Sequence, residues 1–383
     1  MHHTDSTARS GRLNPFAALI FLLLTVLCTL GLAYVGHLSD EGAQRVAPTY
    51  ADLGASFEDS ANNAKSNVLD GLTYIRKIYR IGENDLIAPA PDPANFGSTT
   101  DPAVIRALID GASVLLEGQD TVWSEDIELA PNSEISYYYD ETILVIAWRE
   151  IIDGKGCTFA EIRIADGSQL RRRLSGDVYD APRREYGSKL ASGANAVVST
   201  NGDFYAYRQL GITVYQRKLY RFDPTLVDTC FFTASGDMLL VPKDSFTTRE
   251  EVEQYVLDND VLFSAAFGPI MIQDGELQDI GRYKLGEVHD HYSRAAIGMT
   301  DKLHYLLMTI NFTRGATVST LPEAARILYD KGCVKAYALD GGQTSELWMN
   351  GRILNTIDWN AERQVSDIIC FASALPSGKG GAQ

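Results

Sequence analysis

Three short stretches place a charged side chain beside small residues at the edge of an apolar run. Asn201-Gly202-Asp203-Phe204-Tyr205 follows the apolar run 194–198, and Arg294-Ala295-Ala296-Ile297-Gly298 sets one cation ahead of small and apolar residues. Asp340-Gly341-Gly342-Gln343-Thr344-Ser345 closes the run 334–339. A rigid scaffold presents a side chain to a ligand in this kind of setting. In the third stretch the glycines let backbone approach a ligand closely, and the amides and hydroxyls suit an anion held in a nest. Taken singly, each stretch has a plainer reading, because Asn-Gly and Asp-Gly are the pairs that tight turns demand.

Three further groups carry polar chemistry. His289-Asp290-His291 puts two imidazoles on one face of a strand, but histidines near a surface loop are ordinarily solvated, and no metal site is expected. Its place just before Arg294 instead puts His291 beside an anion pocket. Arg171, Arg172, Arg173, Arg183 and Arg184 form the one basic cluster, and a solvated charged face is the favoured reading over contact with an anionic polymer. Tyr137, Tyr138, Tyr139, Tyr205 and Tyr207 have the rings to stack on sugars, although tyrosines of a β-rich domain mostly fill its core or edge.

The elements that must hold these residues are mainly strands. From about residue 137, short β-rich runs alternate with turn dipeptides, and strands are expected over 143–148, 159–164, 214–220, 304–312 and 334–339. Asp274-Gly275 and Asn350-Gly351, each between apolar runs, predict two-residue hairpin turns. Helices are fewer. Thr320 with Glu323, and Thr248 with Glu251, form capping boxes at two helix starts, with Gly332 closing the first of these helices. Val104, Ile105, Leu108, Ile109, Ala112, Leu115 and Leu116 make the stripe of another. The expected fold class is α+β: a mixed, β-sheet-rich catalytic domain with a few packed helices, preceded by a single transmembrane helix.

The chain has 383 residues, 45% of them hydrophobic, with 34 basic against 50 acidic residues and a net charge of −16. That length and apolar content support a substantial core, and the charge argues against binding a nucleic-acid backbone. No Asp, Glu, Lys, Arg or His occurs over 13–36, and residues 16–35 would span about 30 Å as a helix. Arg9 and Arg12 before the run, with Asp40 and Glu41 after it, predict a membrane anchor with a cytoplasmic tail and an extracytoplasmic main domain. A cleaved signal peptide is the rival reading. Of the five cysteines, Cys28 lies in the apolar run. Cys157, Cys230, Cys333 and Cys370 are left as one disulfide or as buried free thiols, because sequence alone does not fix a pairing. The expected division is a tail over 1–15, an anchor over 16–36, a stalk and Pro-rich linker over 37–103, a helical connector over 104–136, the main domain over 137–375 and a tail over 376–383.

The motifs also carry a resemblance in their order. Asn-Gly-Asp-Phe-Tyr, Phe267-Gly268-Pro269 with Asp274-Gly275, Arg-x-Ala-Ile-Gly, Asp-Gly-Gly and Ser366-Asp367-Ile368-Ile369 together resemble the phosphodiester glycosidase family over roughly residues 155–373. Two departures stand out: Gln343 where the family usually has a third glycine, and Ala295 where it usually has threonine. The resemblance implies cleavage of a sugar-1-phosphodiester at the anomeric carbon. The bond broken releases a phosphate monoester, a good leaving group that needs little general acid, so the site's work is to orient the phosphate and stabilise an oxocarbenium-like centre. On that reading Arg294 clamps the phosphate, and Asp203 and Asp340 activate water or stabilise the cation. Asn201, Gly202, His291, Gly341, Gly342, Thr344 and Ser345 contact the substrate. No cofactor is expected. The partners expected are a glycan or sugar-phosphate substrate and, through the N-terminal helix, the membrane. The function expected is an anchored extracytoplasmic hydrolase acting on a cell-surface glycopolymer or glycolipid. The alternative is a non-catalytic protein that binds exopolysaccharide or helps assemble it.

Overall fold

The computed structural model describes residues 79–115, 134–283 and 288–375. The expected anchor, most of the stalk and the C-terminal tail lie outside them, and so does Cys28. Among the described residues no helix is long and apolar enough to cross a membrane. The described fold is α+β, as expected, with four α-helices, two large antiparallel sheets and a third of three strands, Met238–Val241, Thr229–Thr233 and Val261–Ala265, that carries helix Arg249–Asp258.

The larger sheet has nine strands in the spatial order Phe96–Thr99, Ile135–Asp140, Ile143–Ile152, Lys155–Ile164, His304–Ile310, Arg294–Asp301, Lys335–Leu339, Ile270–Gln273 and Glu276–Leu277. The second has five: Arg352–Ile353, Leu347–Met349, Val198–Asn201, Asp367–Phe371 and Leu170–Leu174. Side chains alternate across a strand, so each central strand serves two cores. In Ile143–Ile152 the residues Ile143, Val145 and Ala147 face the five-stranded sheet, while Leu144, Ile146 and Trp148 meet the helices behind. This explains why the first six residues of that strand are all apolar and buried, and why burial alternates only further along. Helices Pro102–Leu115 and Leu321–Asp330 cover the outer face of the larger sheet, and Gly187–Gly193 that of the smaller.

Where local chemistry was explicit, the elements form as expected. Thr248 and Thr320 cap Arg249–Asp258 and Leu321–Asp330 through complete capping boxes. Asp274-Gly275 and Asn350-Gly351 turn hairpins with positive φ at both residues. The run 214–220, expected as one strand, instead folds back on itself as Thr213–Tyr215 and Lys218–Arg221. Its turn is Gln216-Arg217, two non-glycine residues at φ 48° and 62°, so no turn dipeptide marks it. Within the Pro-rich stretch, Phe96–Thr99 pairs with Ile135–Asp140 and forms the outer edge of the larger sheet. The four described cysteines are buried free thiols. Replacing Thr320 with Ala removes the oxygen that accepts from the Glu323 amide and should lower unfolding free energy by about 1 kcal/mol in urea titrations, with Thr320→Ser nearly neutral.

Candidate active site

The strands that end in the motif residues finish at one end of the sandwich, and backbone hydrogen bonds tie the two sheets together there. The Gly202 amide donates to the Asp367 carbonyl (3.0 Å), and the Asp340 amide donates to the Gly202 carbonyl (3.1 Å). Asn201 Nδ2 donates to the Asp340 carbonyl (2.6 Å), and the Gly342 amide to the Ser293 carbonyl (2.7 Å). Residue 202 has to be glycine because a Cβ there would stand 2.0 Å from Asp367 Oδ2. The three stretches far apart in sequence therefore meet, and the Ser366-Asp367 motif joins them.

Beneath this junction lies a buried charge cluster. Arg172 Nε donates to Asp367 Oδ2 at 2.6 Å, Nη2 stands 3.0 Å from Asp203 Oδ1, and Nη1 donates to the Ser264 carbonyl. All three ionic side chains are fully enclosed. Arg172 was expected on a solvated charged face. Its neighbours Arg171 and Arg173 are partly exposed, but strand alternation in Leu170–Leu174 turns Arg172 inward. Asp203, 2% exposed, also accepts from the Tyr205 amide (2.9 Å) on Oδ1 and the Ala266 amide (2.9 Å) on Oδ2. Its oxygens are thus occupied by a cation and two amides, a set that holds the loop after Val198–Asn201 in place.

Asp340 is placed differently. Thr344 Oγ1 donates to its Oδ2 (2.9 Å) and also lies 2.8 Å from the Gly341 carbonyl, while Oδ1 has no hydrogen bond among the described residues. Burial pushes the Asp340 carboxyl up to about 7, and the charge of Asp203 adds to the rise. The Thr344 hydroxyl, Arg363 and Arg208 oppose it. A carboxyl near neutrality with one open oxygen can take or give a proton at ordinary pH.

Two cations beside Asp340 were not singled out in the sequence. Phe204 and Tyr207 stack with centroids 4.7 Å apart, and the Arg363 guanidinium lies over both rings, 5.7 and 5.5 Å from their centroids. Arg208 lies over Phe267 at 4.7 Å and over Phe204 at 6.0 Å. The spacing of Phe204, Tyr207 and Arg208 gives no pattern by itself, and Arg363 reaches them only through the fold. The loop that carries Arg363 is docked by Ser293 Oγ on Asp358 Oδ1 (2.6 Å) and by Gln343 Nε2 on the Ala361 carbonyl (2.8 Å). Gln343, the departure from the family pattern, therefore anchors the neighbouring loop. Next to Arg363, Glu362 accepts from the Ser188 amide and hydroxyl, both at 2.8 Å, and pairs with buried Glu346. Burial and the adjacent Glu362 push the Glu346 carboxyl up to about 9. The same loop presents Trp359, 83% exposed at φ 58°.

The remaining expected residues scatter around this centre. Arg294 is 4% exposed, and its guanidinium donates to the carbonyls of Ser319 (3.0 Å) and Asp290. His291 is 62% exposed and lies 3.9 Å from Glu323, in a surface group with Lys155. Ser345 is buried, and its carbonyl accepts from Asn355 (2.9 Å) and Asn311 (3.3 Å). Tyr205 is buried, and Tyr207 is 45% exposed. Among the described residues no cluster of His, Cys, Asp and Glu could hold a metal ion.

Residues 194–372 match the phosphodiester glycosidase family, and this domain belongs to it. One curated relative is the SPbeta prophage-derived uncharacterized protein YomE of Bacillus subtilis (strain 168), 22% identical over 204 residues, 51% of this chain and 30% of that protein. The chain therefore spans less than a third of that relative's length. Among solved structures, the zebrafish N-acetylglucosamine-1-phosphodiester alpha-N-acetylglucosaminidase catalytic domain, auto-inhibited by pro-peptide, is similar at a TM-score of 0.48 and 17% identity, covering 60% of this chain and 83% of that one. A hypothetical protein from Synechocystis is similar at 0.46 and 14%, covering 63% and 64%.

Arg172→Gln leaves Asp203 and Asp367 as two buried, uncompensated carboxyls and should lower stability by about 3–5 kcal/mol in denaturant titrations. Arg172→Lys should recover only part of this, since one ammonium cannot span both acids in the plane a guanidinium does.

Proposed function

We propose that this chain is a hydrolase that cleaves a sugar-1-phosphodiester, with Asp340 as the reacting carboxylate. The observation that carries the reading is Asp340 itself, an acid held near neutrality with one open oxygen beside two guanidiniums. In the proposed step Asp340 Oδ1 accepts a proton from water as the water oxygen bonds to C1. The bond from C1 to the phosphate oxygen breaks, and its electron pair leaves with the phosphate monoester. Arg363 and Arg208 meet the phosphate charge, a task for which a planar fork of donors is suited. Arg294, with its guanidinium on two backbone carbonyls, is assigned to fixing the 290–294 turn. Asp203 is assigned to positioning, since its oxygens are taken by Arg172 and two amides. Gly341, Gly342 and Thr344 shape the anion side of the loop. Trp359 offers a ring face to the sugar. With Asp340 as the one reacting carboxylate, the displacement is single and inverts C1.

The phosphodiester glycosidase family of the domain supports both the hydrolysis and the bond type. Placement on the outer side of the membrane, and a cell-surface glycopolymer or glycolipid as substrate, rest on the apolar run 16–35 and its flanking charges.

Asp340→Asn should lower kcat by about 10²–10⁴-fold with the fold intact, measured on a methyl hexosyl-1-phosphate series. Because the ionised form accepts the proton, log(kcat/KM) of the native chain should fall with unit slope as pH drops below about 7. A limb that falls above 7 instead would make Asp340 the acid. Arg363→Gln should cost about 10–100-fold in kcat/KM on phosphodiesters and little on neutral aryl glycosides; equal losses on both would remove the phosphate clamp. In membranes washed with alkaline carbonate, the full chain should stay with the pellet, and its release would refute anchoring.

A further inference from the structure

The sheet edge that carries Asp340 continues past the strands of Arg294, Ile310 and Cys157 to Arg149. There a groove of ≈ 400 Å³ opens between the larger sheet and the hairpin formed by Leu347–Met349 and Arg352–Ile353. Glu134, Ser136, Arg149 and Thr158 line one wall, and Arg352 and Leu354 the other, so the two guanidiniums outnumber the single carboxylate. Arg352 Nη2 donates to Ser136 Oγ (2.8 Å), which holds its guanidinium across the groove from one sheet to the other. Arg149 sits in register with Thr158 on the same wall and is partly open to solvent.

Burial and the charge of Arg352 both push Arg149 below the ordinary arginine range, which marks two cations sharing one space. Among the described residues neither forms an ion pair, although the chain carries 50 acidic residues and a net charge of −16. Two guanidiniums lining one groove repel each other, and a ligand oxyanion between them relieves that repulsion and gains charge-assisted hydrogen bonds from both. The strand of Arg149 is four strand spacings from the strand that ends at Asp340, about 19 Å along the sheet. A ligand carrying one sugar and one phosphate cannot reach both.

We infer that the Arg149–Arg352 groove is a second oxyanion subsite, occupied by a phosphate further along a substrate built of sugars joined through phosphodiesters. The inference rests on the hydrolase reading and extends it from a single bond to a polymer.

The test compares the native chain with an Arg149→Gln, Arg352→Gln double variant. Two substrates are used, a methyl N-acetylhexosaminyl-1-phosphate and a synthetic hexamer of N-acetylhexosamine-1-phosphate. The expected result is equal kcat/KM on the single unit and a loss of about tenfold on the hexamer, through KM. Calorimetry in an Asp340→Asn background supplies a readout free of turnover. There the hexamer should bind about tenfold more weakly when the two arginines are replaced, and a neutral hexasaccharide should show no difference. Equal loss on both substrates, no loss on either, or unchanged hexamer binding overturns the subsite. Arginine-dependent hexamer binding without turnover of either substrate by the native chain upholds the subsite and overturns the hydrolase reading.

Discussion

Arg172 held between Asp203 and Asp367 is the constraint on which the site depends. It belongs to Leu170–Leu174 at the edge of the smaller sheet, yet its guanidinium reaches the strand start at Asp367, the loop at Asp203 and the carbonyl of Ser264 in a third sheet. A buried ion pair adds little net stability over a well-packed apolar replacement, but losing one member strands the others in a medium that cannot solvate them. The cluster therefore acts by geometry. It brings Asp203 inward, which orients Gly202 against Asp367, and Gly202 supplies the carbonyl on which the Asp340 amide docks.

The character of Asp340 follows from that docking. Its backbone is fixed on both sides, by the Gly202 carbonyl and by Asn201 Nδ2. Burial then raises its pKa, the charge of Asp203 raises it further, and only Thr344 among its neighbours donates to it directly. Two aspartates on adjacent loops thus meet different surroundings. Asp203 is matched by a cation and two amides, and Asp340 is left one oxygen short of satisfaction. The same contrast separates acid from stabiliser wherever two carboxyls share a site.

Much of this was legible in the sequence for a definite reason. Capping boxes at Thr248 and Thr320, and hairpin turns at Asp274-Gly275 and Asn350-Gly351, are local chemistry, and local chemistry survives folding. The motif order likewise carried the convergence of Asn201, Asp340 and Asp367. What sequence could not show depends on partners distant along the chain. The cluster at 171–173 reads as a solvated run until strand alternation turns its middle member inward. Arg208 and Arg363 gain their meaning only from the ring stack of Phe204 and Tyr207 and from a loop docked through Asp358 and Gln343. The turn at Gln216-Arg217 adopts left-handed backbone without the residues that usually announce it.

The arginines of this acidic chain fall into two kinds by what they rest on. Arg172 lies against two carboxylates, which satisfy its charge and leave little field for a ligand. Arg363 and Arg208 lie against aromatic faces, whose quadrupole attracts a cation without cancelling its charge. A ring under a guanidinium restricts its motion and covers its apolar face, while the edge with the N–H donors stays able to meet an oxyanion. Arg352, steadied by a neutral hydroxyl, belongs with the second kind. In a protein whose net charge repels anions at long range, an anionic ligand is drawn in only where positive charge is concentrated locally. The platform beside Asp340 and the groove at Arg149 each gather two guanidiniums, and they stand at one end of the same sheet.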